Sequence, residues 1–165
     1  MTTLTVLHPG AMGAAVAAEA SRSGHQVLWV PADRSAATRE RAGKAGLTAS
    51  PSLAEALDSS EVVLSLCSPR AAEDVAVSVA GHGFTGLYVE ANAVSPHRME
   101  RIAYEVRPAS SILDGAAIGP PPGDQRTCVS IWRGTGSRWI CSAPSSGAPA
   151  SGWKRQGTRS VRHRC

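Results

Sequence analysis

The segment His8-Pro9-Gly10-Ala11-Met12-Gly13 constrains this chain more than any other, because of what flanks it. Before it, Leu4-Thr5-Val6-Leu7-His8 is a short apolar run with the length of a buried strand. After it, Ala11 to Ser23 is alanine-rich and has no breaker strong enough to stop a helix. Gly24-His25 ends that helix, and Gln26-Val27-Leu28-Trp29-Val30, bounded by Pro31, reads as a second strand. Strand, tight turn, helix and strand within about 30 residues make one βαβ unit. Such a unit can bury its strands only within a parallel sheet covered by helices.

The alternation continues. A helix is expected from Ser35 to Ala45, closed by Gly46, then a brief extended Leu47-Thr48-Ala49. A short helix follows, with Ser52 and Glu55 spaced as a capping box. Glu61 to Cys67 is nearly continuous in apolar side chains, as a strand covered on both faces should be, and is expected to be central. A helix over Arg70–Ala80, a strand at Gly86–Glu90, a helix opening at Ser95-Pro96 and a strand at Ser111–Asp114 complete the series. Repeated βα units predict an α/β fold with a doubly wound parallel sheet of the Rossmann type.

Charge divides the chain near residue 123. Residues 1–123 hold nine Lys/Arg and twelve Asp/Glu, a net −3, whereas residues 124–165 hold eight Lys/Arg and only Asp124, a net +7. From Asp124 onward Trp132, Trp139 and Trp153 are scattered among Ser, Gly and Arg without a lasting helical or strand period. The expected organisation is therefore a domain over 1–123 and a basic, irregular tail of low order over 124–165. Such an abrupt change is what translation of a GC-rich gene in a shifted frame produces. The alternative is a genuine basic tail for nucleic acid or an anionic surface, against which the scattered tryptophans and lack of repeats count. No apolar run approaches the roughly 20 residues of a membrane span, and no basic segment followed by an apolar stretch opens the chain, so a cytoplasmic protein is expected. Neither the four cysteines nor the five histidines show metal-ligand spacing, and no metal site is expected.

The turn His8–Gly13 keeps two of the three glycines of a G-x-G-x-x-G phosphate-binding turn, with His8 in place of the first. Gly10 allows close backbone approach to a pyrophosphate, Gly13 allows close helix–strand packing, and the helix N-terminus supplies N–H donors and a positive dipole end. Asp33 follows Gly13 by about 20 residues, the usual distance for an acid on an adenosine ribose. Its neighbours Arg34 and Ser35 suit a 2′-phosphate, since a guanidinium clamps phosphate in a bidentate way. The expected cofactor is NADP, with NAD as the alternative. Asp33 has the competing role of capping the helix that starts near Ser35.

Taken in order, His8–Gly13, Gly24-His25, Leu66-Cys67-Ser68-Pro69, Glu90-Ala91-Asn92-Ala93-Val94-Ser95-Pro96 and Asp114-Gly115 resemble the β-hydroxyacid dehydrogenase and 6-phosphogluconate dehydrogenase-like family over about residues 3–123. The resemblance implies an NAD(P)-dependent oxidoreductase that exchanges hydride with a small hydroxyacid or related carbonyl compound. It places Cys67, Ser68 and Pro69 along the cofactor and Asn92, Ser95 and Gly119 at the substrate. Here Asn92 stands where the family has serine and Glu90 where it has aspartate, which points to a different substrate. Ser95-Pro96 is also explained as a helix N-cap and first residue. The family's catalytic lysine lies about 50 residues beyond the position of Asp114 in a Gly-x-x-Gly-x-x-x-Lys pattern and acts as general acid or base. No such pattern exists here, and Lys154 lacks its glycines and apolar face, so no catalytic residue is assigned. The implied whole enzyme has a second, helical domain and is a homodimer; the present chain resembles its front half, with catalysis impaired. Two other readings remain: a non-catalytic nucleotide-sensing module, and another adenosine-ligand Rossmann enzyme such as a methyltransferase.

Overall fold

A computed structural model describes residues 1–117 fully, together with the backbone of Ile118 and of three later strands. Its elements run β1 (Thr3–Val6), α1 (Ala11–Arg22), β2 (Gln26–Trp29), α2 (Ala36–Lys44), β3 (Thr48–Ala49), α3 (Leu53–Asp58), β4 (Val62–Ser65), α4 (Ala72–Gly81), β5 (Leu87–Glu90), α5 (Pro96–Glu105) and β6 (Ser111–Ile118). The later strands are β7 (Val129–Gly134), β8 (Arg138–Ser142) and β9 (Lys154–Gln156).

The helix boundaries follow local chemistry. Ser35, Ser52 and Ser95 each stand at an N-cap and accept from the backbone N–H three residues on, those of Thr38, Glu55 and Arg98. Helix α1 stops because Gly24 takes φ +84°, which lets its N–H bond to Ser21 O (3.0 Å) and that of His25 bond to Ala20 O (3.1 Å). This reciprocal pair satisfies the carbonyls that a helix end leaves open.

Strand order is β3-β2-β1-β4-β5-β6-β7-β8-β9, and every pair from β3 to β6 is parallel. The doubly wound parallel sheet is thus present. Beyond residue 123, where the sequence announces no regular element, β7, β8 and β9 continue the sheet antiparallel from β6.

Period-two alternation sorts the strands onto two cores. Leu4, Val6, Leu64, Val89 and Leu113 pack with Ala17 and Ala20 of α1. Val63 and Tyr88 face the other way and pack with Val75 and Val79 of α4 and Ile102 of α5. The chain switches faces between β1 and β4, and the crevice outside their carboxyl ends is where open α/β sheets bind ligands.

Candidate functional site

That crevice holds a cavity of about 400 Å³ lined by two facing walls and a lip. One wall is the turn after β1, with His8, Gly10, Ala11, Met12 and Gly13; the other, after β4, is Leu66, Cys67 and Ser68, with Ala71 behind. Arg34 and Thr38 form the lip.

The two glycines act differently. At Gly13 a Cβ would lie 2.6 Å from the backbone oxygen of His8, so only glycine lets α1 approach the turn this closely. At Gly10 a Cβ would meet nothing within 4 Å, because the residue borders the open cleft. Gly10 N donates to His8 O (2.7 Å), Ala14 N donates to Gly10 O (2.8 Å), and no side chain caps α1. The positive end of α1 therefore opens into the cavity, a suitable place for a phosphate.

Burial, and secondarily the positive charge of Arg34, pushes the His8 imidazole down to about 4. It is neutral at pH 7, and its Nδ1 has no hydrogen-bond partner among the described residues. Arg34 thus supplies the cationic charge of the lip. Cys67 is also neutral: burial first, then the Glu90 carboxyl, raises its thiol above the ordinary range.

The sequence places Pro9, Asp33, Ser35 and Pro69 at the cofactor. Pro9 is fully buried under the turn rather than on the cavity wall. Asp33 is exposed and left-handed (φ +56°), a conformation Asp tolerates better than most residues, and it turns the chain so that Arg34 reaches the cavity. Ser35 uses its hydroxyl to cap α2, accepting from Thr38 N (3.2 Å). Pro69 begins a 3-10 turn, Pro69–Ala71, that leads into α4. Thr38 and Ala71, to which the sequence assigns no role, also line the cavity, as does Leu66 of the Leu66–Pro69 segment. Thr38 has a visible signal, since it follows the cavity residue Arg34 by four positions, about one helical turn.

Of the residues expected at the substrate, Ser95 is exposed at the start of α5 and Gly119 lies outside the described residues. Asn92 is turned inward, 5% exposed. Its Oδ1 accepts from Cys67 N (2.8 Å), and its Nδ2 donates to Ser65 Oγ (3.3 Å) and to Glu90 Oε1. Glu90 is wholly buried, and burial raises its carboxyl above the ordinary range despite the Asn92 donors. No group of three His, Cys, Asp or Glu positioned to hold a metal occurs among the described residues.

A family model described as NADP oxidoreductase, coenzyme F420-dependent, matches residues 3–87, which include both cavity walls. The chain belongs to that family. Its Rossmann domain is the family's NAD(P)-binding domain. No curated protein matches this sequence. Among solved structures, a conserved protein of unknown function, MTH1747, described as similar to 3-hydroxyacid dehydrogenases, superposes with a TM-score of 0.68 at 24% identity, covering 78% of this chain and 49% of that one. The Mycobacterium tuberculosis 3-hydroxyisobutyrate dehydrogenase gives 0.63 at 22% identity over 73% and 42%. An imine reductase from Pseudomonas sp. gives 0.62 at 21% over 73% and 42%. The chain spans half or less of the length of these structures, and the likeness is one of fold.

Proposed function

We propose that the chain binds NADP in the cavity between the β1 and β4 loops, and that residues 1–123 are the cofactor domain of an oxidoreductase acting on a small hydroxyacid or related carbonyl compound. The observation that carries the cofactor assignment is the uncapped positive end of α1 facing a cavity that Gly10 leaves open, with Arg34 on the lip. A dinucleotide pyrophosphate would lie on Gly10, Ala11, Met12 and Gly13, the adenosine end on Arg34, Ser35 and Thr38, and the nicotinamide end along Cys67 and Ser68. Arg34 favours NADP over NAD, because a guanidinium gains most from a 2′-phosphate. The substrate would sit beyond Cys67 toward Ser95, and full-length relatives would pair as homodimers. No helix among the described residues is long and apolar enough to cross a membrane, which supports a cytoplasmic setting.

Turnover by this chain should be poor. Its lysines are Lys44, exposed and paired with Glu40 on α2, and Lys154, which has none of the expected pattern around it. The same observation favours a second reading, a non-catalytic dinucleotide sensor. Titration with NADPH and NADH, for the natural chain and for Gly10→Asp, tests the assignment. Saturable binding is expected and should be lost in the variant, whose carboxylate meets the phosphates; unlike Gly13, position 10 has room for a side chain. A folded protein that binds neither dinucleotide refutes the assignment. Measurable reduction of a carbonyl substrate excludes the sensor reading.

A further inference from the structure

The cavity wall after β4 is held in an unusual way. Strand β4 pairs with β5 as far as Ser65 opposite Glu90, and Ala91 N still donates to Ser65 O (2.9 Å). The next rung of a parallel ladder would join Cys67 N to Ala91 O. That carbonyl instead accepts from Ala117 N of β6 (3.3 Å), and the Cys67 amide turns to the side chain of Asn92 (2.8 Å). One side-chain carbonyl therefore replaces a backbone rung at the point where the chain leaves the sheet to form the cleft.

Asn92 is itself fixed from behind. Glu90 Oε1 accepts from both Asn92 N (2.9 Å) and Asn92 Nδ2, and Ser65 Oγ receives the same amide group (3.3 Å). Neither Asn92, Glu90 nor Ser65 lines the cavity. We propose that Asn92, oriented by Glu90, is a positioning residue that sets the Cys67–Ser68 wall and thereby dinucleotide affinity without touching the ligand. The inference rests on the dinucleotide reading for its ligand, but not for the clamp itself.

The pair is also built to respond to protons. Glu90 Oε2 is buried without a partner among the described residues. Around it stand Tyr88 on its own strand, Ser65 and Cys67 on the β4 side, and Asp114 directly opposite on β6. Burial, with Asp114 adding to it, favours the neutral acid. Ionisation would leave a buried charge with only neutral donors on it, a cost that water admitted at the strand ends where Asn92 sits would relieve. The wall is held below the raised pKa of Glu90 and loosens as pH climbs through it. By reciprocity, a ligand that prefers the closed wall promotes protonation of Glu90.

The test uses the full chain, comparing the natural protein with Asn92→Ala and Glu90→Gln. Cys67 labelling is followed by peptide-resolved mass spectrometry without cofactor, and NADPH affinity is followed against pH. Asn92→Ala should speed Cys67 labelling and weaken NADPH about tenfold, the scale of one lost hydrogen bond. Glu90→Gln, an isostere of the neutral acid, should match the natural protein near neutrality and lose the weakening at higher pH. A folded Asn92→Ala that changes affinity without changing Cys67 labelling overturns the proposal, because Asn92 would then touch the ligand. So does a Glu90→Gln variant that keeps the natural pH profile, a result that stands even where Asn92→Ala fails to fold. Natural protein that binds no NADPH, while Asn92→Ala still speeds Cys67 labelling, refutes the dinucleotide reading and supports the clamp.

Discussion

Adding one methyl group to each of the two turn glycines should give opposite results. At Gly13 the new Cβ would lie 2.6 Å from His8 O, against the 3.4 Å or more of an ordinary contact. The partner is backbone, held between β1 and the start of α1, so turn or helix must give by about 0.8 Å. Overpacking costs about 1–3 kcal/mol, and a clash with backbone that cannot swing aside falls in the upper part of that range, about 2–3 kcal/mol. The better helix propensity of alanine returns at most about 1 kcal/mol. The net loss is about 1–2 kcal/mol, a fall in Tm of roughly 4–8 °C for a domain of this size. At Gly10 the φ of −66° suits any residue and the methyl meets nothing, so stability should change by less than about 0.5 kcal/mol. That methyl does occupy the approach to the helix N-terminus and should weaken NADPH tenfold or more. Thermal melts and NADPH titrations on both variants give four numbers. A stable Gly13→Ala, or a Gly10→Ala that melts early yet binds normally, would refute the division of labour between the two positions.

Three further outcomes follow from particular residues. Arg34→Ala should weaken NADPH at least tenfold while leaving NADH nearly unchanged, as parallel titrations would show; equal losses would place Arg34 away from the 2′-phosphate. Ser52→Ala removes a cap that accepts from Glu55 N (3.2 Å) and donates to the Glu55 carboxylate (3.0 Å), and should cost about 1 kcal/mol in urea unfolding. For His8 the folded-state pKa of about 4 lies below the ordinary 6.5, so its contribution is present above 6.5 and lost as pH falls toward 4. Urea midpoints at pH 7 and pH 5 should therefore differ less in His8→Asn than in the natural protein, and an unchanged difference would mean that His8 is not buried as neutral imidazole.

Much of the fold was legible because it rests on local chemistry. The alanine-rich α1, the serine caps at 35, 52 and 95, and Gly24 and Gly46 past two helix ends set boundaries that need no tertiary information. Strand ends were less legible. The apolar run Glu61–Cys67 suggests a seven-residue strand, but the ladder stops at Ser65, because Leu66 and Cys67 leave it to line the cavity. In β6 the strand continues past Asp114 through Gly115, Ala116 and Ala117, residues of weak strand preference, because β7 pairs with them. That partner begins at Val129, too far along the chain for a local pattern to disclose.

The site shows the same limit more sharply. Residues that contact a ligand through the backbone leave a trace in sequence, since the chemistry demands glycine at fixed spacing after a strand. Asn92 leaves a different trace: its type and position suggest a polar group offered to a ligand, whereas its amide is consumed inside the protein by Cys67, Ser65 and Glu90. What decides between those roles is the register of β4, β5 and β6, which sets Ser65, Glu90 and Asp114 side by side. It also sends the Ala91 carbonyl to Ala117, leaving the Cys67 amide to find another acceptor. A buried carboxyl with one unpartnered oxygen costs stability unless it stays neutral. Its location directly behind the cleft wall is the reason to look for its effect in dinucleotide affinity as well as in folding.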